Sequence, residues 1–314
     1  MGDSFEKALA RCLNRIPQGR YATCGAVARA LGDVRAARAV ATWLVEHPET
    51  PRGSRVVRAD GRLVLAGAKG ARDRNRSHRS DRVEPAWIIG SLPEIGFLQR
   101  LRRDQERLAG EVIERDEPHP IERVAGVDLS YRGDEMFAAA VSIAVEDLEV
   151  VEIATVRRAA EFPYIPTYLA YREFPGIRDV VGRLSQRPDV LMVDGHGRLH
   201  PALFGVACHV GVALNLPTIG VAKHPLAGRV QLTRERAADA WPVRIEERRQ
   251  GYAWLPPSRS RPIYVSVGHR ISLESALRIV RITTRRGYPE ALRIADRASR
   301  QMKRNEKREK GAMR

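Results

Sequence analysis

Cysteine is scarce in this chain, and long apolar runs do not occur in it. The three cysteines, Cys12, Cys24 and Cys208, stand far apart without a CxxC pair, which argues against a disulfide framework and against a zinc knuckle. No apolar segment approaches the roughly 20 residues that a membrane-spanning helix needs. The opening residues MGDSFEKALARCL have an amphipathic charged pattern that differs from a signal peptide. We therefore expect a soluble cytoplasmic protein that does not act at a membrane.

Acidic residues are too few to balance the basic ones. The chain has 54 Lys and Arg residues against 38 Asp and Glu residues, a formal net charge of +16, and its pI is near 10.5. Such an excess favours attraction to polyanions, and without a membrane segment it favours nucleic acid. A length of 314 residues with 43% hydrophobic content fits two domains.

Composition divides the chain into three parts. Residues 1–66 carry apolar side chains at helical spacing, as in FEKALARCLNRI and RAARAVATWLVEH, and predict a small mainly helical domain. Residues 67–91 lie largely within AGAKGARDRNRSHRSDRVE, which has almost nothing to bury and predicts a basic flexible linker. In residues 92–314, a helix is followed by three strand patterns, VAGVDLSY, FAAAVSIAV and EVVEIATVRR, and then by alternating elements. This order predicts an α/β domain with a mixed sheet and flanking helices.

Three acidic residues stand where a charge needs a partner. In RVAGVDLSY, Asp128 shares a strand face with apolar neighbours, and Asp194 ends the apolar strand VLMVD. Glu173 lies in the helix-like segment YLAYREFP. An unpaired buried carboxylate is costly, so Asp128 needs a partner. Taken alone, Asp128 could be held by backbone amides. Three such acids are what a hard divalent cation requires, so they predict a Mg²⁺ site that could also take Mn²⁺.

Five blocks then resemble a known family in order along the chain. The blocks VAGVDLSY, FPYIPTYLAYREFP, PDVLMVDGHGRLHPALFGVACHVG, LPTIGVAKHPL and PIYVSVGHRISLESAL are similar to those of endonuclease V, the deoxyinosine-directed repair nuclease. The resemblance runs from about Phe97 to about Ala295. It implies a ribonuclease H-like fold and Mg²⁺-dependent cleavage of the second phosphodiester on the 3′ side of deoxyinosine. The implied products carry a 3′-hydroxyl and a 5′-phosphate.

The resemblance also implies roles for individual residues. Asp128, Glu173 and Asp194 match the metal-binding carboxylates. Lys223 in GVAKHPL matches the catalytic lysine, and His269 in SVGHRIS matches the active-site histidine. Taken without the resemblance, Lys223 could equally be a solvated surface lysine and His269 a histidine of a turn.

The segment PYIP matches the wedge that separates the strands at the lesion. Its prolines restrict the backbone, and Tyr164 offers a flat face on which a base can stack; the alternative is an aromatic side chain that packs under a rigid loop. Two glycines flank His196 in DGHGRLH and let the backbone approach a ligand. His196, His200 and His209 either line the DNA groove or are structural. The candidate substrate-binding residues are Pro163, Tyr164, Ile165, Pro166, Gly195 and His200.

The first 65 residues resemble a second family. From about Phe5 to Leu65 the chain is similar to the DNA-binding domain of O6-alkylguanine-DNA alkyltransferases, which implies a helix-turn-helix with Arg38 as its arginine finger. In RGSRVV, Gly53 stands where that family has its reactive cysteine, and Cys24 stands where it usually has a tyrosine. Alkyl transfer is excluded because glycine carries no nucleophile. The resemblance implies a module that binds alkylated guanine, although a basic domain that holds any DNA is the alternative.

The sequence as a whole predicts a monomeric DNA repair endonuclease with an added lesion-binding module. Its expected partners are double-stranded or single-stranded DNA containing deoxyinosine, and DNA containing alkylated guanine. Two alternatives remain at this point. An inosine-directed ribonuclease would use the same active site, because discrimination of the 2′-hydroxyl depends on groove contacts that the sequence does not locate. A binding-only adaptor for damaged DNA would use the acidic residues structurally.

Overall fold

The computed structural model of the chain describes residues 4–65, 82–117, 120–230 and 239–312. These residues form two compact units. The first comprises the described part of Met1–Arg103 together with Glu161–Pro166, and the second comprises Asp104–Ala160 and the described part of Thr167–Arg314. Of the predicted linker, residues 67–81 lie outside the described ranges. No helix within those ranges has the length and apolar character needed to cross a bilayer.

The first unit is mainly helical, as predicted. Apart from short 3₁₀ helices, its described elements are α1 (Phe5–Asn14), β1 (Tyr21–Thr23), α2 (Cys24–Leu31), α3 (Ala37–Glu46), β2 (Val56–Val57), β3 (Ile88–Ile89) and α4 (Phe97–Ala109). The division between the two units falls within α4. The three short strands form a parallel sheet in the order β2-β1-β3.

Side-chain caps and a glycine set the limits of the first helices. Ser4 Oγ accepts a hydrogen bond from Lys7 N at the start of α1, and Thr23 Oγ1 accepts one from Ala26 N at the start of α2. Helix α2 ends at Gly32, whose φ of +107° favours glycine. The helices pack through apolar residues at helical spacing, which include Phe5, Leu9, Leu13, Val27, Leu31, Val40 and Leu44.

The second unit is built on one mixed sheet of eight strands, in the order β6-β5-β4-β7-β8-β11-β10-β9. The strands are β4 (Arg123–Arg132), β5 (Glu135–Ala144), β6 (Val150–Ala159), β7 (Val190–Asp194), β8 (Thr218–Ala222), β9 (Ala240–Ile245), β10 (Arg248–Trp254) and β11 (Ile263–His269). Strands β4, β7 and β8 are mutually parallel, and the other neighbours pair antiparallel. The predicted meander of three strands, β4 to β6, is confirmed, and so is the mixed sheet.

Helices cover both faces of this sheet. They are α5 (Leu169–Val181), α6 (Val206–Leu214), α7 (Leu273–Ile282) and α8 (Glu290–Ala312). Residues Ala125 and Val127 of β4 share an apolar cluster with side chains of α5 and α6, whereas Val124 of β4 belongs to the cluster formed with α7 and α8. The alternation along β4 therefore places Asp128 on the face that α8 covers.

Helix α8 lies very close to β4 because a glycine stands beneath it. A Cβ atom added at Gly126 would lie 2.5 Å from the backbone nitrogen of Leu292 and 2.6 Å from the carbonyl carbon of Ala291. Real Cβ atoms do not approach other atoms so closely. The absence of a side chain at this position lets α8 rest on the strand that carries Asp128.

Candidate active site

Three parallel strands bring acidic and basic groups to one edge of the large sheet. Val127 of β4 pairs with Val193 of β7, and Asp128 and Asp194 are the next residues of these strands. Asp194 in turn pairs with Val221 of β8, the strand that ends just before Lys223. Neighbouring strands lie about 4.8 Å apart. The two carboxylates therefore stand on adjacent strands at the same edge of the sheet, where the charge of Asp194 raises the pKa of Asp128.

Glu173 reaches this edge from helix α5. Its side chain is buried, and Tyr131 OH donates a hydrogen bond to its Oε1 atom at 3.3 Å. Burial raises the pKa of Glu173 to about 8, and the charges of Asp128 and Asp194 add to this increase. The mutual repulsion indicates that the three acids, which are distant along the chain, lie within electrostatic reach of one another.

Asp128 is buried beneath α8. Ser299 Oγ, on that helix, donates a hydrogen bond to Asp128 Oδ2 at 3.1 Å. Burial raises the pKa of Asp128 to about 7, and the neighbouring Asp194 and Asp296 carboxylates raise it further. Asp296 is thus a fourth acid beside the predicted three. The sequence contained a signal for it, because Asp296 follows Leu292 by one helical turn in the apolar seam of α8.

Lys223 forms an ion pair with Asp194. Its Nζ atom lies 2.7 Å from Asp194 Oδ2, and its side chain remains 40% exposed. Tyr288, which the sequence did not indicate, contacts both groups. The ring of Tyr288 lies 4.8 Å from the Lys223 ammonium, and its hydroxyl donates to Asp194 Oδ1 at 3.2 Å. Burial and the Asp194 charge raise the pKa of Tyr288, so the hydroxyl keeps the proton that it donates.

Two of the acids, Asp128 and Asp296, line a cleft together with several basic residues. The cleft has a volume of about 490 Å³, and its lining includes Asp128, Tyr131, Lys223 and Asp296. The other basic residues of the lining lie on α8 and are Arg300, Lys303 and Arg304. The basic residues of this lining suit the phosphodiester backbone of a polyanion, because their positive charges attract phosphates.

The acids fit a hard divalent cation by their chemistry. Across the described ranges, no group of three or more His, Cys, Asp or Glu side chains is placed so that it could hold a metal ion as it stands. Asp128 and Glu173 are nevertheless buried carboxylates whose oxygens could ligate a metal ion. They accept hydrogen bonds from the hydroxyls of Ser299 and Tyr131. A divalent cation prefers carboxylate oxygens and would offset the repulsion that raises the two pKa values.

The structure does not bring His269 to the carboxylates. In the antiparallel pairing of β11 with β8, His269 lies opposite Thr218, at the end of β8 remote from Lys223. Its Nδ1 atom accepts a hydrogen bond from Ile113 N at 3.2 Å, so in the neutral ring the proton resides on Nε2. Burial and the nearby Arg270 lower the pKa of His269.

Gly195 and His200 occupy tightly packed positions. A Cβ atom at Gly195 would lie 2.5 Å from Val206 Cγ1, so this glycine allows β7 to run close to α6. His200 is buried, and its Nδ1 atom accepts a hydrogen bond from Ala202 N at 3.1 Å. The Nε2 atom of His200 therefore carries the proton and donates to Thr167 O at 2.9 Å.

The other two histidines of this region are held in different ways, His196 by a polar contact and His209 by ring packing. His196 Nε2 lies 2.9 Å from His224 O. His209 packs against the rings of Tyr171, Phe174 and Phe204. Burial lowers the pKa of His209 to about 4, so its ring is neutral at physiological pH.

The predicted wedge belongs to the first unit. Tyr164 has 63% of its surface exposed, the largest value among the exposed large hydrophobic residues of the described chain. Pro163 and Ile165, on either side of it, are buried, and Pro166 is exposed. An exposed aromatic ring on a rigid, anchored segment can stack on a base.

In the helical part of the first unit, the predicted lesion-binding residues occupy distinct environments. Arg38 is exposed on α3. Cys24 is buried at the start of α2, and burial raises the pKa of its thiol to about 11, so it is not a reactive thiolate at neutral pH. Gly53 is buried in a 3₁₀ turn, where a Cβ atom would lie 3.0 Å from Leu44 Cδ2 and 3.4 Å from Leu65 Cδ1.

Sequence comparison finds two families in the chain. Residues 106–297 match the family described as Endonuclease V. Residues 4–82 match the family described as 6-O-methylguanine DNA methyltransferase, DNA binding domain.

The relatives named Endonuclease V match about two thirds of this chain. Endonuclease V of Thermofilum pendens is 45% identical over 210 residues, which span 66% of this chain and 89% of the relative. The crystal structure of human endonuclease V is 35% identical with a TM-score of 0.61, covering 67% of this chain and 99% of that chain.

A Ciona intestinalis endonuclease V was solved in complex with a 24mer DNA containing an inosine followed by a ribo-adenosine. It is 26% identical to this chain with a TM-score of 0.61, and the match covers 66% of this chain and 98% of that one.

Proposed function

Because the chain belongs to the endonuclease V family, we propose that it is a Mg²⁺-dependent DNA repair endonuclease that nicks DNA at deoxyinosine. The bond hydrolysed is the second phosphodiester on the 3′ side of the lesion, and the products carry a 3′-hydroxyl and a 5′-phosphate. The observation that carries this proposal is the grouping of buried Asp128 and Glu173 with Asp194, whose charge raises the pKa of both, beside the Lys223 ammonium at 2.7 Å from Asp194 Oδ2.

The acids hold the metal ion in this proposal. Asp128, Glu173 and Asp194 bind Mg²⁺, for which Mn²⁺ can substitute. When bound, the ion lowers the pKa of a water molecule and neutralises charge on the phosphate. Ser299 and Tyr131 fix the orientation of two of the carboxylates through their hydroxyl groups.

Lys223 and Tyr288 act on the reacting phosphate and on its surroundings. The Lys223 ammonium is 40% exposed while it pairs with Asp194, so one of its protons can reach a phosphate oxygen and stabilise the developing negative charge. Tyr288 holds the same pair from the buried side. We assign no step of the reaction to His269, whose Nδ1 atom accepts the Ile113 amide at the other end of the sheet from Lys223.

Recognition of the lesion uses the segment around Tyr164. Inosine inside a duplex must leave the base stack before an enzyme can read it, and the gap must be held open. Tyr164 is exposed between buried Pro163 and buried Ile165, which suits a ring that enters the gap and stacks on a base. In this proposal, Gly195 and His200 support substrate binding indirectly, because they fix the packing of the neighbouring backbone.

We propose that the helical part of the first unit binds DNA at alkylated guanine without repairing it. Arg38 is exposed on α3, and Gly53 has two leucine side chains where a thiol would have to stand. The full chain is then expected to bind a duplex containing O6-methylguanine more tightly than the matched guanine duplex, and Arg38→Ala is expected to remove the difference. Equal affinities of the unaltered chain for the two duplexes would end this proposal.

A second candidate substrate is inosine-containing RNA. The Ciona relative was crystallised with a ribonucleotide next to the inosine, which makes a ribonuclease a specific alternative. Cleavage of matched DNA and RNA strands, each with one inosine, separates the two activities. The DNA proposal requires the faster cleavage on DNA, and faster cleavage on RNA would replace it.

The decisive experiment removes one carboxylate. In Asp128→Asn, Mg²⁺-dependent nicking of a deoxyinosine duplex should fall by about 10³-fold or more, because several kcal/mol of transition-state stabilisation are lost. Glu146→Gln, which replaces an acid at the turn after β5, serves as the matched control and should nick at the normal rate. A binding-only adaptor would show no Mg²⁺-dependent nicking in the unaltered chain.

A further inference from the structure

We propose that the first unit anchors the lesion wedge, so that its helices are part of the strand-separating device. The wedge segment, defined as residues 161–166, leaves β6 and leads to α5, two elements of the second unit. Its contacts nevertheless group it with Met1–Arg103. This inference rests on the proposed nicking of deoxyinosine DNA and deepens it.

A row of aromatic rings makes the attachment. The ring of Phe162 is buried and lies 5.9 Å from that of Phe5 on α1, with an angle of 65° between the planes. It also lies 6.5 Å from the ring of Phe97, at the start of α4. Phe5 in turn meets Trp43 of α3 edge to face at 5.3 Å, and Trp43 stacks on His47 at 4.1 Å. The edge-to-face geometry is one that aromatic rings prefer.

Within the wedge segment, the residues that attach it to the first unit are buried, and the residue that can contact DNA is exposed. Phe162 is 7% exposed and Ile165 is fully buried, whereas Tyr164 between them is 63% exposed. Pro163 and Pro166 restrict the backbone angles on both sides of the Tyr164 ring. The segment therefore presents one aromatic side chain outward, while apolar contacts fix the residues on either side of it.

A wedge works better when the backbone that carries its ring is already ordered. The inserted ring must replace the stacking of an extruded base, and a mobile loop would first have to become ordered. Packing against α1 and α4 provides that order before DNA binds, which is preorganisation. A helical module that already grips DNA and also holds the wedge links the two events, so that DNA binding by this unit and strand opening occur together.

The test uses the full chain and two matched substrates, a duplex with one deoxyinosine and the same strand without its complement. In Phe162→Leu, nicking of the duplex should fall by about 10-fold or more, since a small misplacement of a positioned group has effects of this size. Nicking of the single strand should stay within about twofold, because no partner strand has to be displaced. Phe5→Leu, which alters the anchor from α1 without changing the wedge segment, should show the same selective loss.

Two further variants separate anchoring from general stability. Phe137→Leu removes a buried ring from β5 of the second unit and should change the two rates by the same factor. In a Tyr164→Ala background, Phe162→Leu should have no additional effect on duplex nicking, because the ring that it positions is gone. Melting temperatures of all variants establish that each chain is folded at the assay temperature.

A second readout does not depend on cleavage. With 2-aminopurine next to the deoxyinosine and without added metal ion, binding of the unaltered chain should raise the fluorescence by unstacking that base. Phe162→Leu and Phe5→Leu should raise it less at saturating protein. Equal losses of nicking on both substrates, with unchanged fluorescence, would overturn the anchoring proposal. If the unaltered chain nicks neither substrate, the proposed function itself fails, which is a different outcome.

Discussion

The ammonium group of Lys223 lies 2.7 Å from a carboxylate oxygen of Asp194, at the sheet edge where Asp128 also stands. Lys223 places a positive charge in a cleft that Asp128 and Asp296 also line. The substitution Lys223→Met approximates the length of the side chain and removes its charge. Nicking of a deoxyinosine duplex should fall by about 10²-fold or more, because a donor aimed at developing negative charge is lost.

Single-turnover nicking at saturating protein is the measurement for Lys223, because it isolates the chemical step from DNA binding. Lys223→Arg keeps the charge but changes its shape, so it should recover part of the lost rate. A rate for Lys223→Met equal to that of the unaltered chain would contradict the role assigned to this residue.

Stability of the metal-free protein should depend on pH through the buried acids. The folded-state pKa values of Asp128 and Glu173 are raised to about 7 and about 8, above those of the unfolded chain, so folding favours their protonated forms. Their stabilising contribution is complete at pH values below the unfolded pKa and is lost as pH rises through the folded-state values. With EDTA present, the melting temperature should therefore fall between about pH 5 and about pH 9.

Two comparisons test this assignment of the pH dependence. Asp128→Asn should flatten the decrease, whereas Glu146→Gln should leave it unchanged. Added Mg²⁺ should raise the melting temperature more at about pH 8 than at about pH 5, because the ion binds the ionised carboxylates. A melting temperature that rises steadily with pH over this range in EDTA would show that other groups dominate.

Asp296 should matter although no strand carries it. Its charge raises the pKa of Asp128, so Asp296→Asn should lower that pKa and weaken the attraction of the site for cations. We expect the Mg²⁺ concentration for half-maximal nicking to rise by about 10-fold to 100-fold. Arg300→Gln is the matched control, since it breaks the ion pair of Asp296 at 2.9 Å and keeps the acid. A similar Mg²⁺ requirement in Asp296→Asn and Arg300→Gln would assign the effect to the ion pair.

Gly53→Cys should not restore alkyl transfer. A Cβ atom at this position meets Leu44 Cδ2 at 3.0 Å and Leu65 Cδ1 at 3.4 Å, so the leucines must move to accept any side chain. The variant should take up no labelled methyl group from O6-methylguanine DNA, and its melting temperature should fall. Gly53→Ala should lower the melting temperature similarly, which attributes the loss to the β-carbon. Stoichiometric methyl transfer to the introduced thiol would contradict this account of the pocket.

Much of the active site could be predicted from the chain itself. The two-residue alternation of β4 put Asp128 on an apolar face, and the uninterrupted apolar run of β7 put Asp194 at the end of a parallel strand. Parallel neighbours end at one edge, so the strand pattern already favoured a meeting of these acids. The helix-like segment YLAYREFP offered Glu173 as a third acid, and the resemblance to known sequence blocks added Lys223. The structure places all four residues in one electrostatic group.

Other features depend on packing that local sequence does not encode. Tyr288 reaches the site because the chain after α7 folds back over β4, and Gly126 sets how closely α8 approaches that strand. The position of His269 follows from the direction of its strand. A residue at the end of β11 emerges at the opposite edge from one at the end of β8, because the two strands are antiparallel, and strand direction is not visible in the apolar pattern.

The bare α-carbon of Gly126 has a consequence for how this protein tolerates change. A single methyl group there would force α8 outward by roughly 1 Å before ordinary contact distances returned. That shift would carry Ser299 and Asp296 away from Asp128, with every acidic group of the cleft still in the chain. The arrangement of the acidic site therefore depends on Gly126, a residue without a functional group. A comparison limited to charged residues would overlook this position.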